Sequence, residues 1–349
     1  MTKQTWTAAV SALIFVVAAA VVAMTPVPFV AFGPGNTYDL LAETDGMAAV
    51  QVDGLETFPS PGRILVTSVS ASQPDAPVSL PESVIAHAAT ERQVYPREYV
   101  YPARATVAEI RTRESQQMAT SQTDAAAAAL RAAGIEVERI PMIQSVASTG
   151  PAEGRLFPGD FVLAIDDTPT TTADQVRQAI ENRPIGQKVL FTVLRDRERL
   201  VVNVDTTNSK TNASLPVWGG QVGMGYSYAP QVHLTLPPEL GGTSAGLMLA
   251  LGIYDRITPD NLAGGRTVAG TGAIDGAGVV TGVRGVREKL IAAERARADV
   301  FFVPDANCSD LAETTSSVRV VSVASLEDAI NSLDLLADPS TEGLVKGCS

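Results

Sequence analysis

A glycine-rich turn runs into an apolar segment and holds a serine where nucleophilic chemistry is feasible. The turn covers residues 241–246 with Ser244 inside it, and residues 247–256 read as a helix. Glycines permit close approach of a substrate, and free N–H groups at a helix start, here those of Ser244, Ala245 and Gly246, can stabilise an oxyanion. A serine here also suits a helix N-cap. The turn alone therefore supports two interpretations, a nucleophile and a cap.

A serine nucleophile needs a base, and two residues are candidates. His233 alternates with the apolar Val232 and Leu234, so we expect it on the solvent-facing side of a strand rather than in a triad. Lys289 falls among apolar positions in the first turns of a helical segment, residues 286–298. Burial there would lower the pKa of its amine toward that of a general base. The alternative is a long side chain that reaches water.

The N-terminal segment indicates a membrane location. Residues 6–24 are apolar apart from Thr7 and Ser11, a length that just crosses a bilayer core of about 30 Å. Lys3 is the only basic residue before this run, so the positive-inside rule predicts a cytoplasmic N-terminus. We expect a single-pass protein of the cell membrane whose remaining chain, including the catalytic part, is extracytoplasmic.

Two features of the exported part have alternatives that the sequence leaves open. The apolar run is a retained signal anchor or, since small residues near its end such as Val21 and Ala23 could form a cleavage site, a cleaved signal peptide. Outside the cell, Cys308 and Cys348 can persist as a disulfide that fixes the C-terminal tail, or as two thiols.

Composition excludes several classes of protein. The chain has 26 Lys+Arg against 38 Asp+Glu, a net charge of −12, and no basic run, which argues against a nucleic-acid partner. Two cysteines and two histidines argue against a His/Cys metal cage, because such a site needs three or four of these ligands to converge. Hydrophobic residues make up 45%, enough for a packed core. We expect a folded chain without a metal site of this kind and without a cofactor.

A second group of motifs lies upstream of the serine turn. Residues 150–160 read Gly-Pro-Ala-Glu-Gly-Arg-Leu-Phe-Pro-Gly-Asp, followed by an apolar strand at 161–165 and a helix at 172–182. This order resembles the bacterial PDZ domain, which implies binding of extended peptides by β-augmentation between a strand and a helix. The chain lacks the aromatic-Leu-Gly-aliphatic loop of that family, so recognition of peptide carboxyl termini is open. A PDZ domain that only packs on its neighbour is the alternative.

The serine turn belongs to a longer ordered set of motifs. The set is Gly-Gly-Thr-Ser-Ala-Gly at 241–246, Val-Ala-Gly-Thr-Gly-Ala-Ile at 268–274, Gly-Val-Arg-Glu-Lys-Leu-Ile-Ala-Ala at 285–293 and Val-Phe-Phe-Val-Pro at 300–304. It resembles the Lon peptidase domain. The resemblance implies that Ser244 is the nucleophile, that Lys289 is its base and that Thr271 positions the lysine amine.

The motifs also bear on whether the chain binds ATP and whether it associates with itself. The sequence has no Gly-x-x-x-x-Gly-Lys-Ser/Thr phosphate loop, so we expect no ATP dependence. The order of membrane segment, PDZ and Lon-type domain resembles the membrane-anchored, ATP-independent Lon-like serine peptidases of Gram-positive bacteria. The resemblance further implies self-association, as a hexameric ring.

These observations predict a multidomain α+β protein with an N-terminal transmembrane helix, a PDZ-like domain and a Lon-type Ser-Lys peptidase domain. The predicted boundaries are 1–30 for the signal anchor, 31–114 for a β-rich region packing with the PDZ, 115–207 for the PDZ domain, 208–216 for a linker, 217–337 for the proteolytic domain and 338–349 for the tail. The predicted function is hydrolysis of exported or membrane-associated polypeptides by a serine endopeptidase, with the PDZ presenting the substrate. The alternative is a membrane-tethered PDZ scaffold without catalytic activity.

Overall fold

The computed structural model describes residues 3–44, 47–72, 78–89, 91–101, 105–209, 212–312 and 314–348. The chain folds into two units. The larger unit combines Met1–Gly134 with Pro230–Ser349, and the smaller unit is Ile135–Ala229. Parts of the predicted 1–30 anchor and 208–216 linker, residues 1–2 and 210–211, lie outside the described residues.

Helices and strands alternate along the chain, as expected for a mixed fold. The α-helices are α1 (Lys3–Met24), α2 (Leu80–Ala88), α3 (Arg97–Val100), α4 (Val107–Ala132), α5 (Ala173–Glu181), α6 (Gly246–Ile257), α7 (Val286–Arg295) and α8 (Leu326–Ala337). Short 3-10 helices occur at Asp305–Leu311 and Glu342–Leu344.

The strands fall into three stretches of the chain. The first holds β1 (Phe29–Asp39), β2 (Glu43–Thr44), β3 (Met47–Ala48), β4 (Val50–Asp53), β5 (Arg63–Ala71) and β6 (Gln93–Pro96). The smaller unit holds β7 (Glu138–Val146), β8 (Phe161–Ile165), β9 (Thr168–Pro169), β10 (Lys188–Arg195), β11 (Glu198–Asp205), β12 (Thr207–Asn208), β13 (Pro216–Val217) and β14 (Gly220–Ser227). The last stretch holds β15 (Gln231–Leu234), β16 (Thr267–Gly270), β17 (Ala273–Ile274), β18 (Val280–Thr281), β19 (Val300–Pro304) and β20 (Arg319–Val323).

A six-stranded sheet forms the centre of the larger unit, in the order β20-β19-β16-β5-β1-β6. Strand β16 pairs in parallel with both β5 and β19. Consecutive residues of β5, Ile64, Leu65 and Val66, are all buried, as in a strand that is covered on both faces. Helix α7 packs on the face that carries Leu65, and α6 also contacts β5.

This sheet corrects the predicted grouping of residues 31–114 with the PDZ. Their strands β1 and β5 belong to the same sheet as β16, β19 and β20, so they form part of the larger unit. The predicted β-rich region 31–114 also contains helices. Helix α2 follows an N-cap at Ser79, and α4 begins at Val107, before the predicted start of the PDZ at 115. A capping box between Thr106 and Glu109 fixes that earlier start.

The smaller unit is a sheet in the order β11-β10-β8-β7-β14, with β9 paired to β8. Strand β8 has the predicted bounds, and α5 spans all but the end residues of the predicted helix. Helix α5 buries Val176 and Ile180 in a core that includes Phe191 and Trp218. Within the predicted 208–216 linker, Asn208 pairs with Pro216.

Both ends of the chain have features anticipated as alternatives. Helix α1 is long and apolar enough to cross a membrane, a test that a signal sequence also passes. Cys308 and Cys348 form a disulfide. It holds the tail against β20, where the Ser322 N–H donates to the Lys346 carbonyl at 2.9 Å. The disulfide alternative is therefore the one that the structure contains.

Candidate active site

The serine turn leads directly into α6, and its shape depends on glycine. Gly242 has a φ of +77°, a left-handed conformation that glycine adopts without strain. At Gly246 an added Cβ would lie 2.9 Å from Ile274 Cγ2 and 3.0 Å from Ser121 Oγ, so a side chain would displace its neighbours. The N-cap of α6 is Ala245, and no side chain caps this helix. The cap interpretation of Ser244 therefore has no support in the structure.

Thr271 follows β16 and is fully buried. Its backbone N–H donates to the Phe302 carbonyl at 3.0 Å, which fixes the residue to the end of the parallel strands. Its hydroxyl donates to the backbone carbonyl of Ser244 at 3.0 Å. The same carbonyl accepts from the Gly272 N–H, also at 3.0 Å. Two hydrogen bonds thus hold the serine turn to the sheet.

Lys289 projects from α7 into the core and is 2% exposed, so its predicted burial is confirmed and the solvent-reaching alternative is excluded. Its Nζ donates to the Thr271 hydroxyl oxygen at 2.9 Å. Burial lowers the pKa of the amine from its usual 10.5 to about 7, and the nearby Glu288 opposes part of this shift. Near neutral pH the amine therefore spends much of its time uncharged.

The three residues form one hydrogen-bonded path, from Lys289 Nζ to Thr271 Oγ1 to the Ser244 carbonyl. The Thr271 hydroxyl has a single proton, which it donates to the Ser244 carbonyl. Its oxygen therefore accepts the hydrogen bond from Lys289. A neutral amine in this position keeps its lone pair free to accept another proton. Among the described residues, the Ser244 hydroxyl has no hydrogen-bond partner and is free to rotate toward a base or a substrate.

The amides predicted to hold an oxyanion divide into two groups. The Gly246 N–H donates to the Thr243 carbonyl at 3.2 Å and is occupied. The N–H groups of Ser244 and Ala245 have no partner within the described part of the chain. The structure therefore narrows the candidate donors to these two residues.

Glu288, next to the lysine, is a charged residue type but is only 1% exposed. Neither of its carboxylate oxygens has a hydrogen-bond partner among the residues that the structure describes. Burial raises the pKa of this carboxyl group. The helical periodicity does not predict the burial of Glu288, because α7 contacts both β1 and β5 and more than one side of the helix is covered.

His233 is separate from this cluster. It lies on β15, opposite Gln51 of β4, and its imidazole is 55% exposed. Its Nε2 lies 3.6 Å from the exposed carboxylate of Asp53. The expected surface position is confirmed.

Helix α4 supports the turn in a way that sequence reasoning missed. The backbone carbonyl of Glu114 accepts from the Gly242 N–H at 3.2 Å, and the Ser121 hydroxyl donates to the Thr243 carbonyl at 3.3 Å. Helix α4 lies in the larger unit and contacts α6, although the sequence motifs predict that the PDZ begins at residue 115. Ser121 is buried, and no motif marked it.

Residues 227–333 match the family model of the Lon protease (S16) C-terminal proteolytic domain. This chain contains a Lon-type proteolytic domain. The match includes Ser244, Thr271 and Lys289. The chain is 28% identical over 116 residues to Lon protease 2 of Bacillus subtilis, covering 32% of this chain and 20% of that protein. It is 34% identical over 100 residues to the Lon protease of Chlamydia pneumoniae, covering 27% of this chain and 12% of that protein. The Lon-type domain thus corresponds to a small part of these relatives' length.

Residues 120–206 match the PDZ domain model, so the chain also contains a PDZ domain. Among solved structures, the PDZ domain of an SdrC-like protein from Listeria innocua is 21% identical, covering 23% of this chain and 90% of that one, with a TM-score of 0.22. A protein from Geobacillus thermodenitrificans is 26% identical, covering 23% and 90%, with a TM-score of 0.21. The PDZ-matching residues extend from α4 into the smaller unit.

Proposed function

We propose that this chain is an ATP-independent serine endopeptidase in which Ser244 and Lys289 form the catalytic dyad. The observation that carries the proposal is the buried Lys289 amine, whose hydrogen-bond partner is a neutral hydroxyl that also holds the Ser244 backbone. A buried amine with a lowered pKa is suited to take a proton from serine.

The reaction begins when neutral Lys289 accepts the proton of the Ser244 hydroxyl and the serine oxygen attacks the scissile carbonyl. The Ser244 and Ala245 amides stabilise the oxyanion, each worth about 3 kcal/mol by analogy with other acyl-transfer sites. Collapse of the intermediate breaks the C–N bond, and the Lys289 ammonium protonates the departing amine. Lys289 then removes a proton from water, whose oxygen attacks the acyl carbon. The bond from that carbon to the serine oxygen breaks, and the Lys289 ammonium returns the proton to the serine oxygen. The serine hydroxyl must rotate toward the amine first, a tightening that often accompanies substrate binding.

The surroundings of this site suggest which polypeptides it meets. With α1 as a membrane anchor and Lys3 on the cytoplasmic side, the substrates are exported or membrane-associated. Because the proposed activity does not use ATP to unfold its substrates, they are unfolded segments, exposed tails or small proteins. The PDZ presents the substrate. A hexameric ring stays a prediction of the resemblance, and the mass of the protein in detergent solution tests it.

Hydrolysis of a fluorogenic unfolded protein, without ATP, tests the proposal. Ser244→Ala and Lys289→Ala should each abolish turnover, because one removes the nucleophile and the other removes the base. His233→Ala is the matched control and should retain full activity, because this histidine is exposed and outside the cluster. Circular dichroism checks that each variant is folded.

Normal turnover by Ser244→Ala would overturn the proposal. If the wild-type chain bound unfolded polypeptide and hydrolysed none, the alternative of a membrane-tethered PDZ scaffold would replace it.

A further inference from the structure

The strand at one edge of the smaller unit comes from outside the PDZ-matching residues. That match ends at residue 206, whereas β14 spans Gly220–Ser227. Strand β14 pairs antiparallel with β7 along its whole length, from Gly220 opposite Val146 to Ser227 opposite Glu138. A segment beyond the PDZ match therefore completes the sheet.

This strand lies where a PDZ domain takes up an extended peptide, along a strand edge and beside a helix. One edge of β7 faces β8, because the Ile143 N–H donates to the Asp160 carbonyl at 2.8 Å and its carbonyl accepts from the Gly159 N–H at 2.9 Å. The other edge is occupied by β14, and α5 contacts both β7 and β14. The position open to an external peptide on β7 is thus already filled.

The segment is also held by side chains, as a bound peptide would be. Trp218 is 5% exposed and packs on Phe191 with ring centroids 5.4 Å apart. Val222 packs against the same core, and β13 contacts α5. Main-chain pairing and buried anchors together are the two components of strand-addition binding.

We propose that residues 216–227 are the internal ligand of the PDZ, and that an external polypeptide enters this groove only by displacing β14 from β7. The inference rests on the proposed function insofar as that polypeptide is the substrate. Residues 228–243 connect the internal ligand to Ser244, so the same stretch of chain serves the PDZ groove and the catalytic turn. An internal ligand competes at an effective concentration of about 1 mM, which weakens binding of an external strand.

Binding of a fluorescein-labelled synthetic peptide with the sequence of residues 217–228 tests this inference by fluorescence anisotropy. The full chain carries Ser244→Ala throughout, so the probe is not cleaved and the result does not depend on peptidase activity. A lock variant, Ser145→Cys with Gln221→Cys, joins two exposed residues that face each other across β7 and β14. A matched control, Lys188→Cys with Asp205→Cys, places a disulfide between β10 and β11 and leaves β14 free.

A third variant opens the groove. The polar groups of Ile143 face β8, so those of Met142 face β14 opposite Gly223. Gly223→Pro removes the amide at this pair and weakens the strand. Circular dichroism checks that the chain stays folded, because Trp218 belongs to the segment that this variant releases.

We expect the oxidised lock variant to bind the probe about tenfold more weakly than the oxidised control, and Gly223→Pro to bind about tenfold more tightly than the parent. Equal binding by lock and control would overturn the inference, because the probe would then be using another surface. Failure of a folded Gly223→Pro chain to bind more tightly than the parent would also overturn it. Because every chain in this test carries Ser244→Ala, failure of the proposed peptidase activity would leave these binding outcomes unchanged.

Discussion

Two buried ionisable side chains, one in each unit, have opposite kinds of hydrogen-bond partner. Asp160 in the smaller unit is 1% exposed, and Lys289 in the larger unit is 2% exposed. The Asp160 carboxylate accepts two hydrogen bonds from Arg195, both at 2.6 Å, and one from the Phe157 N–H at 2.8 Å. Lys289 has a neutral threonine hydroxyl as its hydrogen-bond partner.

The difference distinguishes Asp160, which stabilises the structure, from Lys289, which is suited to act as a base. A buried carboxylate that accepts hydrogen bonds from an opposite charge and from a backbone amide fixes a turn, here the one that enters β8. A buried amine without a bonded carboxylate is destabilised in its charged form, which makes it a base near neutral pH. Both residues lie in recognisable motifs, so motif membership alone does not distinguish these roles.

Removing the charge partner from the smaller unit should have the largest effect on stability. Arg195→Met leaves Asp160 buried without its counter-charge, and we expect the free energy of unfolding of this unit to fall by about 4 kcal/mol. Denaturant unfolding followed by Trp218 fluorescence measures it. Arg177→Met removes an exposed ion pair with Asp174 in the same unit and should change stability by less than about 0.5 kcal/mol. Equal effects of the two substitutions would contradict the expectation that the buried Arg195–Asp160 pair stabilises this unit more than the exposed Arg177–Asp174 pair.

Removing the Lys289 amine should change the free energy of unfolding in the opposite direction and stabilise the larger unit. Lys289→Met deletes an amine whose folded-state pKa is about 7 against an ordinary 10.5, which relieves about 4 kcal/mol at pH 7. The substitution also loses the hydrogen bond to Thr271, worth about 1 kcal/mol, so we expect this unit to gain about 3 kcal/mol. The wild-type unfolded chain binds more protons between about pH 7 and pH 10.5, so wild-type stability should rise with pH across that window. In Lys289→Met that rise should disappear.

Thermal unfolding at several pH values measures the difference between the wild type and Lys289→Met. A variant less stable than the wild type at pH 7 would mean that the amine is stabilised where it lies, and it would contradict the comparison between Asp160 and Lys289.

Removing the Thr271 hydroxyl, which lies between Lys289 and the serine turn, should have a smaller effect. This effect should be on the rate of the reaction. Thr271→Val keeps the shape of the side chain but removes both the acceptor for Lys289 and the donor to the Ser244 carbonyl. We expect kcat to fall about tenfold with KM little changed, since positioning rather than binding is lost. Thr271→Ser should restore most of the rate. An unchanged kcat in Thr271→Val would remove Thr271 from the account.

The sequence predicts locally encoded features well. Strand β8, helices α5 and α6 and the start of α7 lie within a residue of their expected ends, because apolar periodicity, caps and glycines mark them. The burial of Lys289 followed from a helical wheel, although that of Glu288 did not, since a wheel does not show how many elements surround a helix.

Long-range pairing is the part that local patterns do not encode. Strand β5 pairs in parallel with β16, Ile64 opposite Val268, across some two hundred residues. The pairing of β14 with β7 and the support of the serine turn by α4 arise in the same way. The start of α4 was detectable, because Thr106 and Glu109 have the spacing of a capping box.

The central claim is that neutral Lys289 activates Ser244, and the pH dependence of serine labelling by a fluorophosphonate probe tests it most directly. The wild-type rate constant should rise about tenfold per pH unit below pH 7 and level off above it, because only the neutral amine accepts the proton. Lys289→Arg, which stays charged, should not label at any pH between 5.5 and about 9. A wild-type rate that is independent of pH, or labelling of Lys289→Arg at the wild-type rate, would contradict the account.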